Sequence, residues 1–186
     1  FLGIQPGHRH FRDLKESSQI HAVSGVLIYR FSSNLFFANI QVLRQDIEDH
    51  VTQETKAVIL DASGIGSIDI TAADGLDILC KSLQKQNIRF YITEHIAGLN
   101  EQLRKLGLGY LIEEGHVRRT IHIALKDMGI GRPYPLEGGV DNTERSASRK
   151  RADNRVQEFV WAFGQDAETA IEKQIEKQIE QLKETG

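Results

Sequence analysis

The chain has 186 residues, 40% hydrophobic and 26% charged, with a formal net charge of -3. It can bury one ordinary core plus extensions, and it lacks the global field that would gather nucleic acid or an anionic membrane surface. Its lone cysteine, Cys80, excludes an internal disulfide, and no apolar run approaches the roughly 18 residues needed to span a bilayer.

"FLGIQPGHRH" lacks the basic start and long apolar middle of a signal peptide, and the chain begins without Met, so it reads as a piece cut from something longer. After Pro6 and Gly7, "GHRHFRDLKESS" is polar and mixed in charge, so residues 1–18 are expected to form a linker or an edge segment. "QIHAV" and "GVLIYRFSS" are short apolar or β-branched runs separated by Ser24 and Gly25; this predicts a hairpin, and "LFF" adds a short segment. From Asn39, a candidate N-cap, Ile40, Leu43, Ile47 and Val51 recur at helical spacing. "AVIL" in "KAVILDASG" is a continuous apolar run, as expected of a strand covered on both faces.

A second helix is predicted with Ala72, Leu76, Leu79, Cys80 and Leu83 on one stripe, followed by a buried strand at "IRFYI". Ile96, Leu99, Leu103 and Leu106 mark a third helix that Gly107 closes in a left-handed turn. "GYLI" is an optional strand, and Val117, Ile121 and Leu125 mark a helix that Gly129 stops. The order indicates an α/β fold, a central mixed sheet flanked by about four helices, over residues 19–130.

Residues 131–186 differ in character. "GRPYPLEGGVDNTERSASRKRADNR" lacks apolar periodicity and is expected to be a flexible segment. The closing "DAETAIEKQIEKQIEQLKE" carries Ile171, Ile175, Ile179 and Leu182 along one stripe, a C-terminal helical extension that would pack on the domain or on a second copy. Phe159, Trp161 and Phe163 add apolar anchors before it.

The chemistry centres on "SIDITAADGLDIL", which brings Asp69 and Thr71 to a helix start. Thr71 followed three places later by Asp74 has the form of a capping box, worth about 1 kcal/mol at the cap, and that accounts for both residue types without catalysis. A second reading makes Asp69, Thr71, Asp74 and Ser63 a regulatory or interaction surface. A third uses the N–H groups of "ASGIGS" and the helix start, through Ser63, Gly64, Gly66 and Thr71, to hold a nucleotide or small anion.

Enzymatic patterns lack partners. "GIGSID" places Asp69 where a dinucleotide site needs its third glycine, and no GxxxxGK[ST] or GxSxG occurs. Asp61 after "VIL" resembles a receiver phosphoacceptor, but the first strands supply no acidic pair for magnesium. His8 and His10 lie two apart in a linker pattern, His116 and His122 fall on different faces of a predicted helix, and Cys80 reads as a buried structural thiol. The basic run "RSASRKRADNR" has no interleaved aromatics and suits membrane headgroups beside an existing anchor better than nucleic acid. No catalytic residue, metal, cofactor or nucleic-acid partner is expected.

Three stretches resemble one family. "PGHRHFRDLKE" is similar to the linker motif "PGTxxYRD", "SGVLIYRFSSNLFFAN" to "PGVLIxRxxxPLYFAN", and "VILDASGIGSIDITAADGLDIL" to "VVLDxxxVxxIDxTGxxAL". These motifs belong to the STAS domains at the cytoplasmic C-terminus of SulP-type anion transporters, the sulfate permease family. The resemblance implies the STAS, anti-sigma factor antagonist-like fold on the cytoplasmic face of a bacterial inner membrane. It implies a non-catalytic role in regulation or assembly beside a parent membrane domain that carries sulfate or bicarbonate-type anions, with a homodimer or a cytoplasmic regulatory protein as further partners.

The family's soluble relatives, the anti-sigma factor antagonists, switch partners when a serine directly after the aspartate is phosphorylated, which leaves a partner switch, or a nucleotide- or anion-sensing module, as the alternative. Here Ile70 holds that place and Thr71 follows, so Thr71 is expected to be unmodified. Ser24 and Asn34 replace the two prolines of the second motif, which predicts a less rigid loop.

Overall fold

Three short parallel strands organise the protein, whose computed structural model describes residues 1–138. In chain order the elements are β1 (Leu2–Ile4), β2 (Phe11–Asp13), β3 (Val26–Arg30), α1 (Ile40–His50), β4 (Ala57–Asp61), α2 (Ile70–Lys85), β5 (Arg89–Thr93), α3 (Leu99–Lys105), α4 (Gly109–Glu113) and α5 (Ile121–Asp127). β3, β4 and β5 pair in that order and in parallel, while β1 and β2 pair antiparallel in a sheet of their own. The expected α/β architecture with pairings of both senses is therefore present, with five α-helices among the described residues.

The central strand explains the layering. Successive side chains of a strand point to opposite faces, so Val58 and Leu60 enter one core with Leu43, Leu76, Leu79 and Leu103. Ala57 and Ile59 enter a second core with Ile28, Ile121, Leu125 and Tyr134. All five residues of β4 are buried, as a continuous apolar run between two layers requires. Helices α1 to α4 line the first face; α5 and β1 line the second.

Several predicted elements hold for local reasons. The stripe Ala72, Leu76, Leu79, Cys80, Leu83 is buried on α2. Gly107 and Gly129 sit at φ 81° and 78°, the left-handed conformation expected just past α3 and α5. Residues 1–18, expected to be a linker or edge, contain β1 and β2, with Leu2 and Ile4 each 3% exposed. A Cβ on Gly3 would lie 2.4 Å from the His21 carbonyl oxygen, so only glycine lets β1 approach that segment.

Other expectations are corrected. The hairpin between "QIHAV" and "GVLIYRFSS" does not form: β3 takes buried β4 as its parallel neighbour, and "QIHAV" contributes only single bridges, His21 to Ile4 and Val23 to Leu136. "GYLI" is helical in α4 rather than extended. Ile96 lies outside α3, because Gly98 at φ 90° turns the chain first. Val117 bridges Ile92, and α5 starts after Thr120, whose side chain accepts the Ile123 N–H.

Asn39 precedes α1 without capping it. Its Oδ1 accepts the Phe36 N–H at 2.9 Å and its Nδ2 donates to the Asn34 carbonyl at 2.8 Å, so it ties the preceding loop. Tyr134 and Leu136, in the stretch expected to be flexible, are buried in the second core. The predicted C-terminal helix, its aromatic anchors and the basic run lie outside the described residues.

Candidate functional site

β4 ends on a charge. Asp61 is fully buried, its Oδ2 accepting from Arg30 Nε at 2.8 Å and its Oδ1 from the Ser63 N–H at 3.0 Å. A buried carboxylate persists only when paired and hydrogen-bonded, and both oxygens here are engaged by the protein's own donors. The Asp61 side chain thus closes the turn that leads to Ser63.

The loop from Ser63 to Asp69 is knitted to two neighbouring segments. Asn34 Oδ1 accepts the N–H groups of Gly66 at 2.9 Å and Ser67 at 3.0 Å. Gln102 accepts from Ile68 N at 3.0 Å and donates to the Gly66 carbonyl at 3.1 Å. Leu35 completes the ladder, donating to Ser67 and accepting from Asp69. A Cβ on Gly64 would lie 2.6 Å from Ser32 Cα and 2.8 Å from the Phe31 carbonyl oxygen, so glycine there permits the contact with the β3 exit. The loop predicted to loosen when Asn34 replaced proline is instead held by that side chain.

Asp69, rather than Thr71, caps α2. Its Oδ1 accepts the Ala72 N–H at 2.7 Å and its Oδ2 the Phe37 N–H at 2.9 Å. The two carboxylate oxygens, one on each N–H, let Asp69 join helix start and neighbouring loop at once. Thr71 and Asp74 lie inside the first turns of the helix, both exposed, so the expected capping box does not form; the cap sits two residues earlier, and Ala72 at the third helical position has no side chain to reach back.

The predicted site residues therefore divide by geometry. Ser63, Thr71 and Asp74 have exposed side chains around the helix start. Of the N–H groups on which anion binding would draw, those of Ser63, Ile65, Gly66, Ser67, Ile68 and Asp69 each have an acceptor within the protein, whereas those of Gly64, Ile70 and Thr71 have none among the described residues.

Sequence reading passed over the apolar part of the surface. Ile70 is 68% exposed, Phe37 70% and Ile78 50%. Ile70, Asp74 and Ile78 are four apart and share one face of α2, and Phe37 is tied beside that face through Asp69. Ile70 occupied the position after the aspartate, which was the available signal. Asn34 was signalled by the missing proline; Gln102, remote in sequence, gave none.

Other polar groups serve structure. Tyr110 donates to Asp77 Oδ1 at 2.8 Å, and Lys81 beside Asp77 holds that carboxyl below its ordinary range. Burial pushes the Cys80 thiol up, away from the thiolate that nucleophilic chemistry needs. His116 precedes α5 and faces the Phe90 carbonyl at 2.8 Å, while His122 on α5 meets Tyr134 and Arg9. Among the described residues no three His, Cys, Asp or Glu side chains are grouped to hold a metal, and no helix is long and apolar enough to cross a membrane.

Comparison with known proteins agrees with this geometry. The chain is 31% identical over 128 residues to a probable sulfate transporter of Mycobacterium tuberculosis, covering 67% of this chain and 23% of the relative. It thus spans less than a quarter of that relative's length. The fold resembles that of a sulfate transporter family protein from Wolinella succinogenes, with TM-score 0.53, 22% identity, and 63% of this chain and 96% of that one covered. It also resembles the murine Solute Carrier 26 family member A9 anion transporter, with TM-score 0.60, 20% identity, and 69% and 21% covered. The profile of the STAS domain matches residues 17–124, and the chain belongs to the STAS domain family.

Proposed function

We propose that this chain is the cytoplasmic, non-catalytic regulatory and assembly domain of a SulP-type anion transporter, and that the face at the start of α2 docks the parent's membrane domain or a second protein. One observation carries the reading: the turn into α2 engages most of its loop N–H groups internally, yet leaves Phe37 70% and Ile70 68% exposed beside it. Engaged loop donors leave less for an anion, and large apolar side chains left in water beside polar neighbours favour burial by another surface. The similarity to a probable sulfate transporter supports sulfate or a related oxyanion as the cargo of the parent.

The test uses the full-length gene product in vesicles. Ile70→Lys combined with Phe37→Lys should lower sulfate or bicarbonate uptake, and a photocrosslinker at position 70 should capture another part of the transporter or a second chain. Undiminished uptake together with no crosslink would sink the docking face. Phosphate found by mass spectrometry on Ser67 or Thr71 after incubation with a cognate kinase would instead favour a partner switch.

A further inference from the structure

A cavity of about 480 Å³ opens at the end of the sheet opposite the α2 start. Its rim includes Val26 and Arg89, the first residues of β3 and β5, and Lys56, just before β4. A five-residue strand at ~3.3 Å per residue puts about 16 Å between this end and the loop after Asp61. The volume lies within the range of small-molecule pockets, ~300–1,000 Å³.

Two cations share this cavity without an acid. The Arg89 N–H bonds the Lys56 carbonyl at 3.0 Å, so the two residues are neighbours across the β4–β5 edge. Arg30, Lys81, Lys105 and Arg118 each hold a carboxylate; the side chains of Lys56 and Arg89 have no hydrogen-bond or ion-pair partner among the described residues. Asn87, at φ 60°, and Ser24 add neutral donors to the same wall. Met128, Ile130 and Pro135 form an apolar wall.

We propose that this cavity binds a phosphate monoester with an aliphatic body: the phosphate on Lys56 and Arg89, the hydrocarbon on Met128, Ile130 and Pro135. A phosphate monoester carries roughly -1.5 to -2 charge at neutral pH and offers three acceptor oxygens. That matches an ammonium plus a guanidinium fork better than a single carboxylate does. No aromatic ring lines the cavity to stack a base, so a nucleotide fits less well than an alkyl phosphate. The phosphate could arrive on a soluble metabolite or on a lipid headgroup.

The whole chain, titrated with hexyl phosphate by calorimetry or NMR, should bind at millimolar concentration or tighter. Inorganic phosphate should bind about tenfold more weakly, because it leaves the apolar wall in water. Lys56→Gln and Arg89→Gln should each weaken hexyl phosphate about tenfold while the thermal midpoint stays in place. Sedimentation with phosphatidic acid vesicles, against phosphatidylcholine vesicles, separates the sources. Retention on phosphatidic acid that both substitutions abolish assigns a lipid; binding of hexyl phosphate alone assigns a soluble ester. No binding of either probe, binding that survives both substitutions, or equal affinity for hexyl and inorganic phosphate overturns the proposal.

Discussion

At the carboxyl ends of β3 to β5 the loops are laced together by Asn34, Asp61, Asp69 and Gln102, and an apolar surface is left outside. At the amino ends backbone hydrogen bonds join the loops, Lys56 to Gly25, Arg89 to Lys56 and Ser24 to Pro135, around a cavity lined by two unpaired cations. Open parallel sheets usually receive ligands beyond their carboxyl ends, where helix starts and loop N–H groups are free. Here most of the loop groups are engaged, which favours the proposed protein surface at one end, while the unpaired cations favour the proposed anion site at the other. Free hydrogen-bonding capacity, more than position in the fold, decides what each end can do.

The largest expected effect tests the closure of the carboxyl end. Gly64→Val forces the β3 exit and the loop apart and should cost about 3 kcal/mol or more in urea denaturation. At the amino end Gly25→Ala meets the Glu54 carbonyl at 3.2 Å from the new Cβ and the Lys56 side chain at ordinary contact distance, but at φ 73°. It should cost about 1 kcal/mol. Equal losses would erase the contrast.

Next is the cap. Asp69→Ala removes the acceptor for both Ala72 and Phe37 and should cost about 2 kcal/mol, whereas Thr71→Ala should change stability by less than about 0.5 kcal/mol. The reverse order would restore the capping box read from the sequence.

A smaller effect should appear with pH. His122 joins α5 to Tyr134, the neighbour of the cavity wall, and burial, reinforced by Arg132, pushes its pKa below the ordinary 6.5. The unfolded chain then binds the proton more tightly, so this contribution is complete above pH 6.5 and is lost as pH falls through that value toward the folded pKa. Thermal midpoints should drop over that window, and the slope should flatten in His122→Gln. The smallest change belongs to Lys56→Gln and Arg89→Gln, within about 0.5 kcal/mol of the parent protein by denaturation.

Readings of apolar periodicity and of turn glycines survived, whereas several element boundaries, two helix caps and a strand partner were misplaced. The α2 stripe and the stops at Gly107 and Gly129 follow from periodicity and local backbone preference. The cap moved from Thr71 to Asp69 because a helix boundary shifts by a residue or two with little change in pattern, while the choice of cap depends on Phe37, remote in sequence. The hairpin failed for the same reason: "QIHAV" and β3 are adjacent in the chain, but β3 finds a better-buried neighbour in β4, beyond α1.

The amino-acid order alone determined the apolar runs, the helical stripes, the turn glycines and the motifs that marked the STAS family, because each is written in residues a few places apart. Only the tertiary structure decided which donors are already engaged, that Phe37 is tied through Asp69 beside the exposed Ile70 at the α2 start, and that Lys56 and Arg89 line one cavity without an acid. Those are properties of segments roughly 30 residues apart, set by how two cores close around β4.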